Sequence, residues 1–124
     1  MEQKAWIIDE KTAKQYLTVE DAIDCVEKTW KWYGEGRVIM PNKITTDMSE
    51  LGVAGWFNSM PAYIGGDVDT AGFKWAAESK ANAQLEGVPY GIDIVILSDP
   101  KTVFPKAILD GTITTAMRTS ATAG

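Results

Sequence analysis

The sequence predicts an α+β domain in which a mostly antiparallel sheet carries flanking helices. Three observations predict it. An amphipathic helical pattern fills residues 19–33, several strand-like segments follow between residues 43 and 109 with turn signals and no helix among them, and a helical pattern returns from Thr112. Strands grouped in sequence, with helices outside the group, indicate α+β rather than alternating α/β architecture.

Trp6-Ile7-Ile8 reads as a short strand, and Asp9 as the N-cap of a short helix reaching Tyr16. Thr18-Val19-Glu20-Asp21 has capping-box spacing, with Asp in place of the usual Glu. Val19, Ala22, Ile23, Val26, Trp30 and Tyr33 then recur at three- and four-residue steps, which sets them on one face of a helix over 19–33, stopped by Gly34 and Gly36. Lys28, Lys31 and Glu35 face out. Residues 43–47 and 53–63 read as strands, and Gly65-Gly66-Asp67 as a turn. Residues 71–77 and 92–97 read as further strands, the second mostly buried. Asp99-Pro100-Lys101-Thr102 is a hairpin turn that returns the chain through residues 103–109. Asp110-Gly111 ends that strand, and in the last helix Ile113, Ala116 and Met117 share a face beside Arg118.

Length and composition limit the function. With 124 residues, 45% of them hydrophobic and 23% charged, the chain is one domain with a core rather than a disordered or fibrous segment. A net charge of −5 repels phosphate backbones and argues against a nucleic-acid partner. The absence of histidine removes His bases, Ser-His triads and His-ligated metals. Cys25, the sole cysteine, forms neither an internal disulfide nor a multi-thiolate site, so no metal is expected. The N-terminal residues lack a signal-peptide stretch and no apolar run approaches a membrane span, so a cytoplasmic location without a membrane partner is expected.

Phosphate-binding motifs are missing from the pattern. Gly34-Glu35-Gly36 holds the first half of a dinucleotide fingerprint, yet it follows a helix, which makes it a C-cap. Two basic residues stand in unusual company. Lys74 interrupts Gly72-Phe73-Lys74-Trp75-Ala76-Ala77. Strand alternation leaves it either in solvent, opposite Phe73 and Trp75, or in a pocket, where a desolvated lysine binds a carboxylate or moves protons. Arg118 lies among Thr114, Thr115, Ala116, Thr119 and Ser120, whose small side chains admit a ligand to the guanidinium fork. The plain reading of Arg118 is a surface arginine bonded to an acid elsewhere. If Lys74 and Arg118 converge, both belong to one pocket; on opposite faces of the sheet, Lys74 returns to solvent.

The segment Ala107–Thr119 (AILDGTITTAMRT) resembles the signature of the ornithine cyclodeaminase/mu-crystallin family, in which a strand ending in Leu/Met-Asp-Gly leads into a helix containing Thr-Ala-Leu/Met-Arg-Thr. Met60-Pro61-Ala62-Tyr63-Ile64-Gly65-Gly66 is similar to its Met-Pro-Ala-Tyr turn, and Gly72-Phe73-Lys74 to its Gly-Val/Ile-Lys strand. Gly36-Arg37 through Pro41-Asn42-Lys43 resembles its Gly-Lys/Arg…Pro-x-Arg stretch, and Asn82, Gly87, Pro89, Asp99 and Pro100 fall in the expected order.

The resemblance implies a two-domain NAD(P)-dependent oxidoreductase acting on an amino or imino acid. Residues 1–124 would be its substrate and dimerisation domain, with a Rossmann domain expected to follow the arginine-bearing helix. It implies a substrate carboxylate held at Lys43, Lys74 and Arg118, with Lys74 also catalytic through proton movement near the α-amine, and a cofactor contact at Thr119. NAD or NADP would serve the full-length enzyme; none is expected on this chain alone. A homodimer or higher assembly is expected, its apolar surface including Trp56, Phe57, Trp75 and the Ile113/Met117 face. The other reading is a truncated, non-catalytic homologue that keeps the sheet and dimer interface as a binding or structural module. Four departures put ornithine itself in doubt: Lys43 in place of arginine, Tyr90 in place of threonine, Asp93 in place of a small residue, and the altered 78–82 loop. Asp93 either adds an acid to the pocket or faces solvent.

Overall fold

The computed structural model describes residues 4–123. Strand β1 (Trp6–Ile8) leads into α1 (Glu10–Tyr16) and α2 (Val19–Gly34). Each helix begins where a side chain takes up an orphan backbone amide: Asp9 Oδ1 accepts from Thr12 N at 2.8 Å, and Thr18 Oγ1 from Asp21 N at 3.0 Å. Helix α2 runs one residue past the expected end, and Gly36 reverses the chain at φ +75°. Six more strands follow: β2 (Val38–Ile39), β3 (Ile44–Asp47), β4 (Gly55–Ile64), β5 (Thr70–Ser79), β6 (Gly91–Ser98) and β7 (Pro105–Asp110). Helix α3 (Thr112–Ala123) closes the described chain.

These strands form one sheet in the order β1-β7-β6-β5-β4-β2, with β3 also paired to β4. All pairings are antiparallel except β1 with β7, which is parallel. The sequence-predicted strands are present, with three differences. The two-residue strand β2 carried no pattern to mark it. The strand expected from Val53 begins at Gly55, because Ser49–Leu51 winds into a 3-10 turn and the carbonyl of Met48, which precedes it, holds Val53 N at 3.2 Å. The strand expected from Val103 begins at Pro105, since Val103 is drawn to φ +60° by the preceding turn, where its amide donates to the Asp99 carbonyl at 2.9 Å.

Register divides the sheet into two unlike faces. Met60, Lys74 and Val95 lie side by side on the face that carries α3, against which α1 and α2 pack. Phe57, Phe73, Trp75, Ile94 and Ile96 lie on the opposite face. There Phe57 and Trp75 stack with centroids 4.9 Å apart, while Ile92, Ile94 and Ile108 remain exposed. Trp56, expected among that apolar surface, pairs with Glu78 and falls on the helix-bearing face instead.

The core is thin: among the described residues Ala13, Ala76 and Ala107 are the buried hydrophobic side chains, and Val19, Ile23, Trp30 and Tyr33 of the α2 stripe are about half exposed. The accessible surface is 9081 Å². A self-contained monomer of 13.6 kDa would expose about 6,600 Å². Exposed large hydrophobic residues, among them Trp6, Ile7, Trp30 and Ile94, contribute to the excess.

Candidate functional site

The site begins with a break in pairing along one edge of β4. Strand β2 pairs with Tyr63 and Ile64, and β3 with residues 56–59, so Met60, Pro61 and Ala62 have no strand beside them on that edge. Pro61 suits the break because it has no amide to donate. The linking residues Met40–Lys43 rise there and, with β4, form one wall of a cavity of about 600 Å³.

Helix α3 forms the facing wall through Thr114, Thr115 and Arg118. It lies close to the sheet because Gly111 has no side chain: a β-carbon there would come within 2.9 Å of Val95 Cγ2 and 3.2 Å of Asp93 Cβ. Asp110 Oδ2 accepts from Ile113 N at 3.5 Å, and Gly111 O accepts from Thr115 N at 2.8 Å, which starts the helix directly at the strand's end. The Asp-Gly-Thr sequence thus delivers Thr115 and Arg118 to the cavity.

Lys74 rises from the floor. Its Nζ donates to Thr115 Oγ1 at 3.3 Å and lies 4.0 Å from Asp93 Oδ2. Burial pushes the Lys74 ammonium below its ordinary pKa, the Arg118 guanidinium pushes the same way, and Asp93 opposes them. The solvent-facing alternative for Lys74 is thereby excluded; Phe73 and Trp75 take the opposite face.

Lys43, Lys74 and Arg118 all line this cavity, Lys43 and Arg118 from exposed positions at its rim. Much of the remaining lining is apolar, including Met40, Met60, Ile64 and Val95. Thr119 is exposed on α3, outside the cavity. Tyr90 lies away from it, in a shallow cleft beside Phe57 and Asn82. Thr115 was visible in the sequence only as a small neighbour of Arg118. Its contact with Lys74 depends on the distance between β5 and α3, which no local pattern encodes.

Fold and site together define an α+β domain with a cation-lined cavity between an antiparallel sheet and a helix. The chain belongs to the ornithine cyclodeaminase/mu-crystallin family, whose sequence profile matches residues 4–124. It is 30% identical over 118 residues to the alanine dehydrogenase of Archaeoglobus fulgidus, covering 95% of this chain and 34% of that protein. The structure of an archaeal alanine dehydrogenase dimer with bound NAD superposes with a TM-score of 0.85 at 30% identity, over 95% of this chain and 34% of that one. A Δ1-pyrroline-2-carboxylate reductase from Thermococcus litoralis, solved with NADH and L-proline, shares the fold with a TM-score of 0.87 at 24% identity, over 95% of this chain and 35% of that one. The chain spans about a third of the length of these relatives.

Proposed function

We propose that residues 1–124 are the substrate-binding and dimerisation portion of a cytoplasmic NAD(P)-dependent oxidoreductase that acts on an amino or imino acid. The observation that carries this reading is the meeting of Lys43, Lys74 and Arg118 on one cavity beside α3. Arg118 presents a planar fork suited to a carboxylate, Lys74 adds a second donor held from behind by Thr115, and Lys43 adds a point charge at the rim. Two cations holding one carboxylate fix where the α-carbon sits, which is the positional part of catalysis. Lys74, with its proton loosened by burial and by Arg118, is suited to hold or release a proton near the α-amine.

A nicotinamide cofactor does not fit the residues described. Phosphates need a glycine-rich strand–turn–helix cradle. The strand–turn–helix at Asp110–Thr112 has one glycine, and Val95 and Asp93 already occupy the space against it. The redox step therefore belongs to residues outside this segment, and Thr119, exposed on α3, is the contact these residues offer to a cofactor held elsewhere. The same misfit supports the second reading, a non-catalytic module that keeps the sheet and its association surface.

Titration of the chain with L-alanine, L-proline and pyruvate, followed by NMR shifts of Thr115 and Arg118, tests the carboxylate site. Saturable shifts that vanish in Lys74→Met and in Arg118→Ala are expected; unchanged binding in both variants would overturn the assignment. Shifts with pyruvate equal to those with acetate would favour the non-catalytic reading.

A further inference from the structure

We propose that Asp93 is the positioning residue for Lys74: its carboxylate on β6 and the Thr115 hydroxyl on α3 hold the ammonium between them at the back of the cavity. This rests on the reading of that cavity as an anion site, and it assigns a role to a residue outside the lining.

Four ion pairs are found among the described residues, and this one differs in kind. The Lys14–Glu10, Lys28–Asp24 and Arg37–Glu35 pairs are solvent-exposed, whereas the Lys74 and Asp93 side chains are 17% and 14% exposed. Asp93 is also fixed by its backbone. Its amide donates to Thr112 Oγ1 at 3.2 Å and its carbonyl accepts from Gly111 N at 2.9 Å, so the start of α3 and the carboxylate move together. Asp93 does not line the cavity, whereas Lys74, Thr115 and Arg118 do. Its carboxylate therefore reaches a ligand only through Lys74.

The charges around Lys74 make the role necessary. From α3 it faces Arg118, and from the segment before β3 it shares the cavity with Lys43; among the described residues, Asp93 on β6 is the acid paired with it. Burial and Arg118 both favour loss of the Lys74 proton, and Asp93 is the group that opposes that loss. With the carboxylate removed, a largely desolvated ammonium would be left among like charges, and it would deprotonate or turn away.

The test reads the protonation of Lys74 directly and needs no ligand. The rate of acetylation by acetic anhydride is followed peptide by peptide between pH 7 and 10.5, with Lys28 as the internal standard. In Asp93→Asn, the midpoint for Lys74 should fall by about half a unit or more, so that labelling near pH 8 is roughly threefold faster or more, with Lys28 unmoved. Asp93→Glu should restore the parent curve, and Asp93→Ser should repeat the Asn result if the amide disturbs folding. A residue that merely packs would raise labelling at every pH by one factor without moving the midpoint. That outcome, or a curve superimposed on the parent, would overturn the proposal. Either result leaves carboxylate binding to be decided by the titrations above, so the two readings fail separately.

Discussion

Trp32 of α2 and Gly66 in the β4–β5 turn fill one another's space: a β-carbon at Gly66 would lie 2.6 Å from Cδ2 and 2.7 Å from Nε1 of the indole. Gly66 also holds φ at +65°, a conformation that L side chains seldom adopt. This contact ties the longest helix to the hairpin whose strands carry Met60 and Lys74.

Gly66→Ala should therefore lower stability by about 1–3 kcal/mol, the usual range for overpacking a filled site. Urea denaturation measures it. The loss should shrink in a Trp32→Ala background, where the clash is relieved and only the backbone strain remains; equal losses in both backgrounds would mean that the indole does not press on Gly66.

The uncovered sheet face predicts association. The chain exposes 9081 Å², an excess over a compact monomer of roughly 2,500 Å² by mass scaling; counted on both partners that is about 5,000 Å², within the range of obligate interfaces. A homodimer should appear by light scattering at dilute concentration. Trp75→Glu, placed at the centre of that face beside Phe57 and Phe73, should yield monomers. A stable wild-type monomer would overturn the prediction.

Asp99 predicts part of the acid limb of stability. The amides of Lys101 and Thr102 donate to Oδ1 at 2.7 and 3.2 Å, which holds its carboxyl below the usual 3.8. A carboxyl lowered on folding stabilises above its unfolded value, and that contribution is lost as pH falls through the folded value. Asp99→Asn should make the parent's stability loss below pH 3.8 shallower. Asp9 and Asp47, each lowered by backbone amides, add to the remaining slope.

Lys74 predicts the opposite limb. Its folded value lies below 10.5, so between the two values the unfolded chain binds more protons and stability rises with pH. Lys74→Met should remove this rise, measured as the difference in urea midpoints between parent and variant from pH 8 to 10.5. Arg118→Ala, which deletes the like charge, should shrink it.

Much of the fold was legible because its signals are local. Asp9 and Thr18 announce their helices within three residues, and Asp99-Pro100-Lys101-Thr102 announces its turn. The parallel β1–β7 pair and the break beside Pro61 were not legible, because both are relations between distant strands. Lys74 shows where the boundary falls. Alternation left two faces open, and only the register with Met60 and Val95 fixed which one it takes. Asp93 remained undecided for the same reason, until its place opposite Ala76 set it beneath α3. Val103 failed differently: its β-branched side chain favours a strand, and the Asp99 turn overrides that preference.

The pairing of Trp6 with Ala107 has a kinetic consequence. About a hundred residues separate the partners, so β1 waits for nearly the whole segment to be synthesised before it has anywhere to dock. The β4–β5 and β5–β6 hairpins can assemble first, since their partners are close in sequence. Until the N-terminal residues return, the outer edge of β7 is bare, and β7 is the strand that leads directly into the helix bearing Thr115 and Arg118. Strand β1, synthesised before the other described strands, closes only after β7 is made, and the Gly111 junction is clasped from that side only when it does.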